Sequence, residues 1–147
     1  MGSGETARVK SESQDRADVE RVFSIYLRSL EAADVELASQ VWLQSPDVLV
    51  VSPIGRFNGW EGVKEIWERT RTEFSVRKVQ TSNVTIVVAG DAAWLVFDFV
   101  FTGTRADGKP PVVLTGWESH GYQRTADGWR LAHLHYSVPM ASPAGRV

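Results

Sequence analysis

Residues 111–138 read PVVLTGWESHGYQRTADGWRLAHLHYSV, and their alternation of apolar and polar side chains decides the fold. The breaker Ala126-Asp127-Gly128 has hairpin length, so Pro111–Arg124 and Trp129–Val138 form two antiparallel strands. Upstream, the same period of two runs through Arg77–Ala89 and Ala92–Thr102, separated by Gly90-Asp91. Ala106-Asp107-Gly108-Lys109 then breaks the chain before Pro111. Four long strands joined by short loops predict an antiparallel meander.

Before the meander the period is helical. Val19, Val22, Phe23, Tyr26, Leu27 and Leu30 follow i, i+3, i+4, i+7 spacing and predict an amphipathic helix from Asp15. Asp34 suits the N-cap of a short second helix burying Leu37, Ala38, Val41 and Trp42. Pro46 stops it, Asp47–Ser52 reads as a strand, and Pro53, Gly55, Asn58 and Gly59 read as turn residues. Val63, Ile66, Trp67, Thr70 and Phe74 then predict a third helix from about Trp60 to Phe74. Helices placed ahead of an antiparallel sheet mean an α+β domain. One domain over residues 15–139 is expected, with flexible tails over 1–14 and 140–147.

Composition narrows the function. The 147 residues carry a net charge of −2, which argues against a nucleic-acid groove. Cysteine is absent, excluding disulfides, thiolate metal sites and cysteine nucleophiles. No apolar run is long enough to span a membrane and no signal peptide is seen, so a cytoplasmic domain is expected. Six Trp, six Phe and three Tyr suit an apolar cavity, an interface or simply a core.

Hairpin register gathers the polar side chains. Pairing Ala126 with Trp129 sets His120 against His135 and Tyr122 against His133; a four-residue loop sets His120 against His133 instead. Both put Glu118, His120, Tyr122, His133 and His135 on one face, with two imidazoles in direct opposition. In the preceding hairpin, Gly103 against Val113 adds Asp98 and Val96 to that face, whereas Gly103 against Val112 removes them. Imidazoles beside carboxylates are the mixture that acid–base chemistry near neutral pH requires. The same residues could serve a hydrogen-bonded interface, or two histidines and a carboxylate could bind a metal. No helical H-x-x-x-H or H-E-x-x-H pattern supports the metal, and neither metal nor cofactor is expected. Tyr26 lies on the apolar stripe of the first helix; Trp42, Trp60 and Trp94 are candidate cavity walls; Arg69 and Arg71 read as a solvated helix face, unless an anionic ligand is found there.

Gly90-Asp91-Ala92-Ala93-Trp94, Asp107-Gly108-Lys109-Pro110 and Asp127–Ser137 (DGWRLAHLHYS), with the order of elements, resemble the nuclear transport factor two-like superfamily. The nearest groups are SnoaL-like domains and the association domain of calcium/calmodulin-dependent protein kinase II. The resemblance covers about Asp15 to Pro139. It implies a conical barrel (a cystatin-like α+β roll), in which a curved, mostly antiparallel sheet wraps the N-terminal helices around an apolar pocket. It also implies a homodimer or a larger ring. By similarity to ketosteroid isomerases, Tyr26 falls at the oxyanion-hole tyrosine, the catalytic base falls at Ser52, and the protonated aspartic acid falls at or next to His120. Serine cannot replace that base, so the isomerase mechanism is not carried over. The association domain's pocket arginines would fall at His120 and near Tyr136, neither of which is arginine, while Glu118 is matched.

These readings favour a protein that binds a small hydrophobic carbonyl or hydroxyl compound, an isomerase, cyclase or dehydratase. A histidine, His120 first and His133 or His135 otherwise, would take the proton, oriented by Asp98 or Glu118. Tyr26 or His120 would donate to the oxygen, and Trp42, Trp60, Trp94, Val96, Glu118 and Tyr122 would hold the ligand. The alternative is a non-catalytic association module. An enclosed cavity at the histidine patch would favour the first, an intersubunit surface the second.

Overall fold

The computed structural model describes residues 2–140, with side chains from residue 12 onward. Three helices, α1 (Gly2–Ala32), α2 (Val35–Val41) and α3 (Gly59–Glu73), pack against one six-stranded sheet. Its strands are β1 (Leu49–Ser52), β2 (Gly55–Asn58), β3 (Phe74–Ala89), β4 (Ala92–Arg105), β5 (Val112–Thr125) and β6 (Gly128–Ser137). The order is β2-β1-β6-β5-β4-β3, and only β1–β6 is a parallel pair. The expected α+β roll is therefore present, as a curved but unclosed sheet in which β2 and β3 remain edges.

Two boundaries differ from expectation. Residues Gly55–Asn58, read as turn, form β2 against β1, because four residues are too few to display a period. α1 begins at Gly2, well before the apolar spacing that starts after Asp15; the polar stretch ahead of it offers no period to read. Met1 and residues 141–147, part of the expected tails, lie outside the described residues.

The α1 stripe of Asp15, Val19, Val22, Phe23, Tyr26 and Ser29 is buried in the sheet's concavity. Ala33 adopts φ 49° and ends the helix, with Asp34 N–H donating to Ser29 C=O at 2.8 Å. Asp34 then caps α2 as expected, its side chain accepting from Leu37 N–H at 3.0 Å. The far end of α1 is clasped to the sheet. Asp15 accepts from Arg124 Nη1 at 2.7 Å and Nη2 at 2.6 Å, and from Trp129 Nε1 at 3.2 Å.

The strand registers set the two faces. Gly103 pairs with Val112, the register that takes Asp98 and Val96 off the inner face. Leu95, Phe97 and Phe99 point inward and are buried, while Trp94, Val96, Val113 and Trp117 are exposed on the outer face. Trp117 lies opposite Asp98 on the outside. Among the described residues no helix is long and apolar enough to cross a membrane.

Candidate active site

Alternation along β5 turns Glu118, His120 and Tyr122 inward, opposite Phe97, Leu95 and Ala93 of β4. The turn of α1 carrying Tyr26 lies over them, its ring centroid 4.7 Å from that of His120 and nearly perpendicular to it. Glu118 Oε2 accepts from the Tyr26 hydroxyl at 3.0 Å and lies 2.6 Å from His120 Nε2. His120 Nδ1 lies 2.8 Å from the Tyr122 hydroxyl.

One proton assignment satisfies every contact. Burial and the Glu118 charge push both phenols well above their ordinary value of 10, so Tyr26 and Tyr122 stay protonated and each has a hydrogen to donate. Tyr122 O–H then donates to Nδ1, leaving Nε2–H to donate to Glu118. Two hydrogens converge on Oε2, an arrangement suited to a carboxylate. Oε1 has no hydrogen-bond partner among the described residues, yet it is not a sealed, unpartnered atom; the Trp42 indole N–H is the one such side-chain group there.

The other side of Glu118 is a cavity of about 350 Å³. Tyr26 and Glu118 form its polar end, and Trp67, Phe74, Phe97, Phe99, Phe101, Leu114, Leu134 and Tyr136 supply much of its apolar wall. Its size is at the small end of the range for ligand sites, about 300–1,000 Å³. Ile54, Arg69 and Glu73, all exposed, mark its mouth.

The three histidines do not share a face. The β5–β6 pairing starts with Thr125 against Gly128 and holds to Tyr122 against Leu131; a bulge then leaves Ala132 unpaired. Beyond it Gly121 faces His133, His120 faces Leu134, and Ser119 faces His135. One extra residue turns every following side chain over, so His133 and His135 lie exposed on the outer face. No second imidazole sits across from His120, and the two-histidine metal arrangement does not assemble. Among the described residues no group of three His, Asp or Glu is placed to hold a metal ion.

Other expected site residues also move. Asp98, Val96 and Trp94 belong to the outer face. Trp42 is fully buried, its ring edge-on to Trp67 at 6.1 Å, and does not line the cavity. Trp60 borders a shallow depression with Asp34, Lys64 and Arg71. Tyr26, Glu118, His120 and Tyr122 are brought together, with their order changed: Glu118 meets the cavity and His120 stands behind it. Trp67 was missed as a wall residue; its indole N–H donates to Ser29 Oγ at 3.2 Å, which holds the ring in place. Its position on the inner stripe of α3 was the available signal.

The SnoaL-like domain family matches residues 11–135. The chain belongs to the SnoaL-like family. No curated protein matches it. Among solved structures, a nuclear transport factor 2 (NTF2-like) superfamily protein from Salmonella enterica serovar Typhimurium is 31% identical. Its TM-score is 0.84, with 90% of this chain and 96% of that one covered. A proposed dehydratase of the NTF2-like family from Streptomyces avermitilis is 20% identical, with TM-score 0.78 and 88% and 99% covered. The hexachlorocyclohexane dehydrochlorinase LinA-type3 of Novosphingobium barchaimii is 16% identical, with TM-score 0.75 and 97% and 96% covered. The last two share the fold with this SnoaL-like chain and, by themselves, nothing more specific.

Proposed function

We propose that this SnoaL-like protein is an enzyme that takes a compact hydrophobic carbonyl or hydroxyl compound into the cavity and moves a proton with Glu118. The observation that carries this is the division of labour at one carboxylate. Oε2 is held by Tyr26 and His120, Oε1 has no hydrogen-bond partner among the described residues, and Glu118 borders the apolar cavity. A carbon acid seated there would pass its α-proton to Oε1, and the electron pair of the broken C–H bond would move into the carbonyl as an enolate. As Oε1 takes the proton the charge on Glu118 is lost, and the Tyr26 phenol would turn its one hydrogen from Oε2 to the developing oxyanion, leaving His120 Nε2–H on Oε2. His120 and Tyr122 are positioning residues that hold the carboxylate and fix the tautomer.

Returning the proton to another carbon makes the reaction an isomerisation; expelling a β-hydroxyl with it makes a dehydration. The dehydratase and dehydrochlorinase among the fold relatives both bear names of eliminations, in which a proton and a leaving group depart. That supports the same first step here. Self-association through the outer face, as a homodimer first, accompanies this reading and is favoured by exposed Trp94, Val113 and Trp117.

The test is deuterium incorporation at the α-carbon of a panel of aryl and cyclic ketones in D2O, followed by NMR. Wild type should exchange at least one of them, and Glu118→Gln should be slower by about 100-fold or more. No exchange by wild type, or equal exchange by the variant, would overturn the proposal.

A further inference from the structure

Beyond the chemistry at Glu118, we infer that the compound bound in the cavity carries an anionic group, a carboxylate or a phosphate, which emerges at the mouth and is received by Arg69. This rests on reading the cavity as a ligand site. Apart from the Tyr136 phenol on its wall, the cavity is polar at two places: the buried end formed by Tyr26 and Glu118, and the mouth, where α3 contributes Arg69, Thr70 and Glu73. At the mouth, two of the three groups are already engaged. The Thr70 hydroxyl donates to the Trp67 carbonyl at 3.1 Å. The Glu73 carboxylate lies 3.9 Å from Arg105 Nη1, and Arg105 also pairs with Asp107 at 3.2 Å. Arg69 stands one helical turn before Glu73, yet makes no ion pair or side-chain hydrogen bond among the described residues. The sequence alone made it part of a solvated helix face; the structure puts it on the rim of a cavity.

A guanidinium offers planar, paired donors that match a carboxylate or phosphate. The closed end repels an anion, because Glu118 is there with one oxygen free. The two ends therefore orient such a ligand, acid outward at Arg69 and enolisable carbon inward at Glu118. A neutral ligand of the same shape would gain nothing from Arg69.

The experiment measures binding of a matched pair, β-benzoylpropionate and its methyl ester, by calorimetry to wild type, Arg69→Gln and Arg69→Lys. Wild type should prefer the acid by about fivefold, the upper range for an ion pair at a solvent-facing rim. Arg69→Gln should lose that preference with ester affinity unchanged, Arg69→Lys should keep part of it, and added salt should shrink it. Equal binding of acid and ester by wild type, or a preference that survives in Arg69→Gln, overturns the inference and leaves the reading of Glu118 intact. Failure of both probes to bind wild type overturns the cavity reading and this inference with it.

Discussion

Asp15→Asn removes one charge where α1, the β3–β4 turn and the β5–β6 hairpin meet. Asp15 is 5% exposed, and its two oxygens accept three hydrogens from Arg124 and Trp129. Asparagine keeps one acceptor oxygen and points its NH2 at a donor, so one charge-assisted bond is lost and the others weaken. Breaking one side of a buried pair costs about 3–5 kcal/mol. The Arg124 side chain is 37% exposed, however, and retains Asp91 at 2.9 Å and the Trp129 ring at 4.7 Å. Water therefore screens part of the loss, and about 2 kcal/mol is expected at neutral pH. At an unfolding entropy of about 2.1 cal/mol/K per residue, that lowers Tm by about 6 °C.

The pH dependence carries a sign. The Arg124 guanidinium holds the Asp15 carboxyl below its ordinary value of 3.8, against the opposing effect of burial. A depressed carboxyl contributes stability that is present above the unfolded value and lost as pH falls through the folded one. The gap between wild type and Asp15→Asn should stay level from about pH 7 to pH 5 and close below about pH 4. Urea titrations followed by tryptophan fluorescence, at four pH values, measure it. A neutral-pH gap under about 0.5 kcal/mol, or one that does not close in acid, would refute the clasp. In a double-mutant cycle with Arg124→Gln, the two costs should be well short of additive.

Two further outcomes are expected. Although exposed, His133 is partly desolvated by the sheet around it, and this, then the charges of His135 and His120, lowers its pKa, so in an NMR titration it should take up its proton below 6.5. Any stability it lends is present above that value and lost in acid. His133→Gln should leave ketone binding unchanged while His120→Gln weakens it; the reverse ranking would contradict the face assignment. Sedimentation of wild type should show a dimer that Trp117→Lys shifts toward monomer; a wild-type chain monomeric at high concentration would dispose of the outer-face interface.

Local chemistry carried the main part of the fold into the sequence. The helical stripe through Val19, Val22, Tyr26 and Leu30, the Asp34 cap and the period-two strands depend on neighbours within a few residues, and all are present. That Glu118, His120 and Tyr122 share a face was legible for the same reason, alternation along one strand; that this face turns inward was not. The side on which the other histidines lie was not. It turns on a single unpaired residue, Ala132, and a bulge is a compromise between sheet curvature and pairing that no strand records alone.

The choice between Gly103–Val112 and Gly103–Val113 had the same character, and it sent Asp98, Val96 and Trp94 to the outer face. The assignment of roles was also tertiary. Whether Glu118 or His120 meets the cavity depends on where α1 and α3 lie over the sheet, and those contacts join Tyr26 to Glu118, 92 residues apart in sequence. Sequence by itself determined the three helices, the strands of the meander and the shared face of Glu118, His120 and Tyr122 on β5, because these follow from backbone periodicity and turn chemistry. Tertiary structure alone decided the faces of β4 and β6, the carboxylate that meets the cavity and the arginine at its mouth, because register and helix placement are settled by long-range packing.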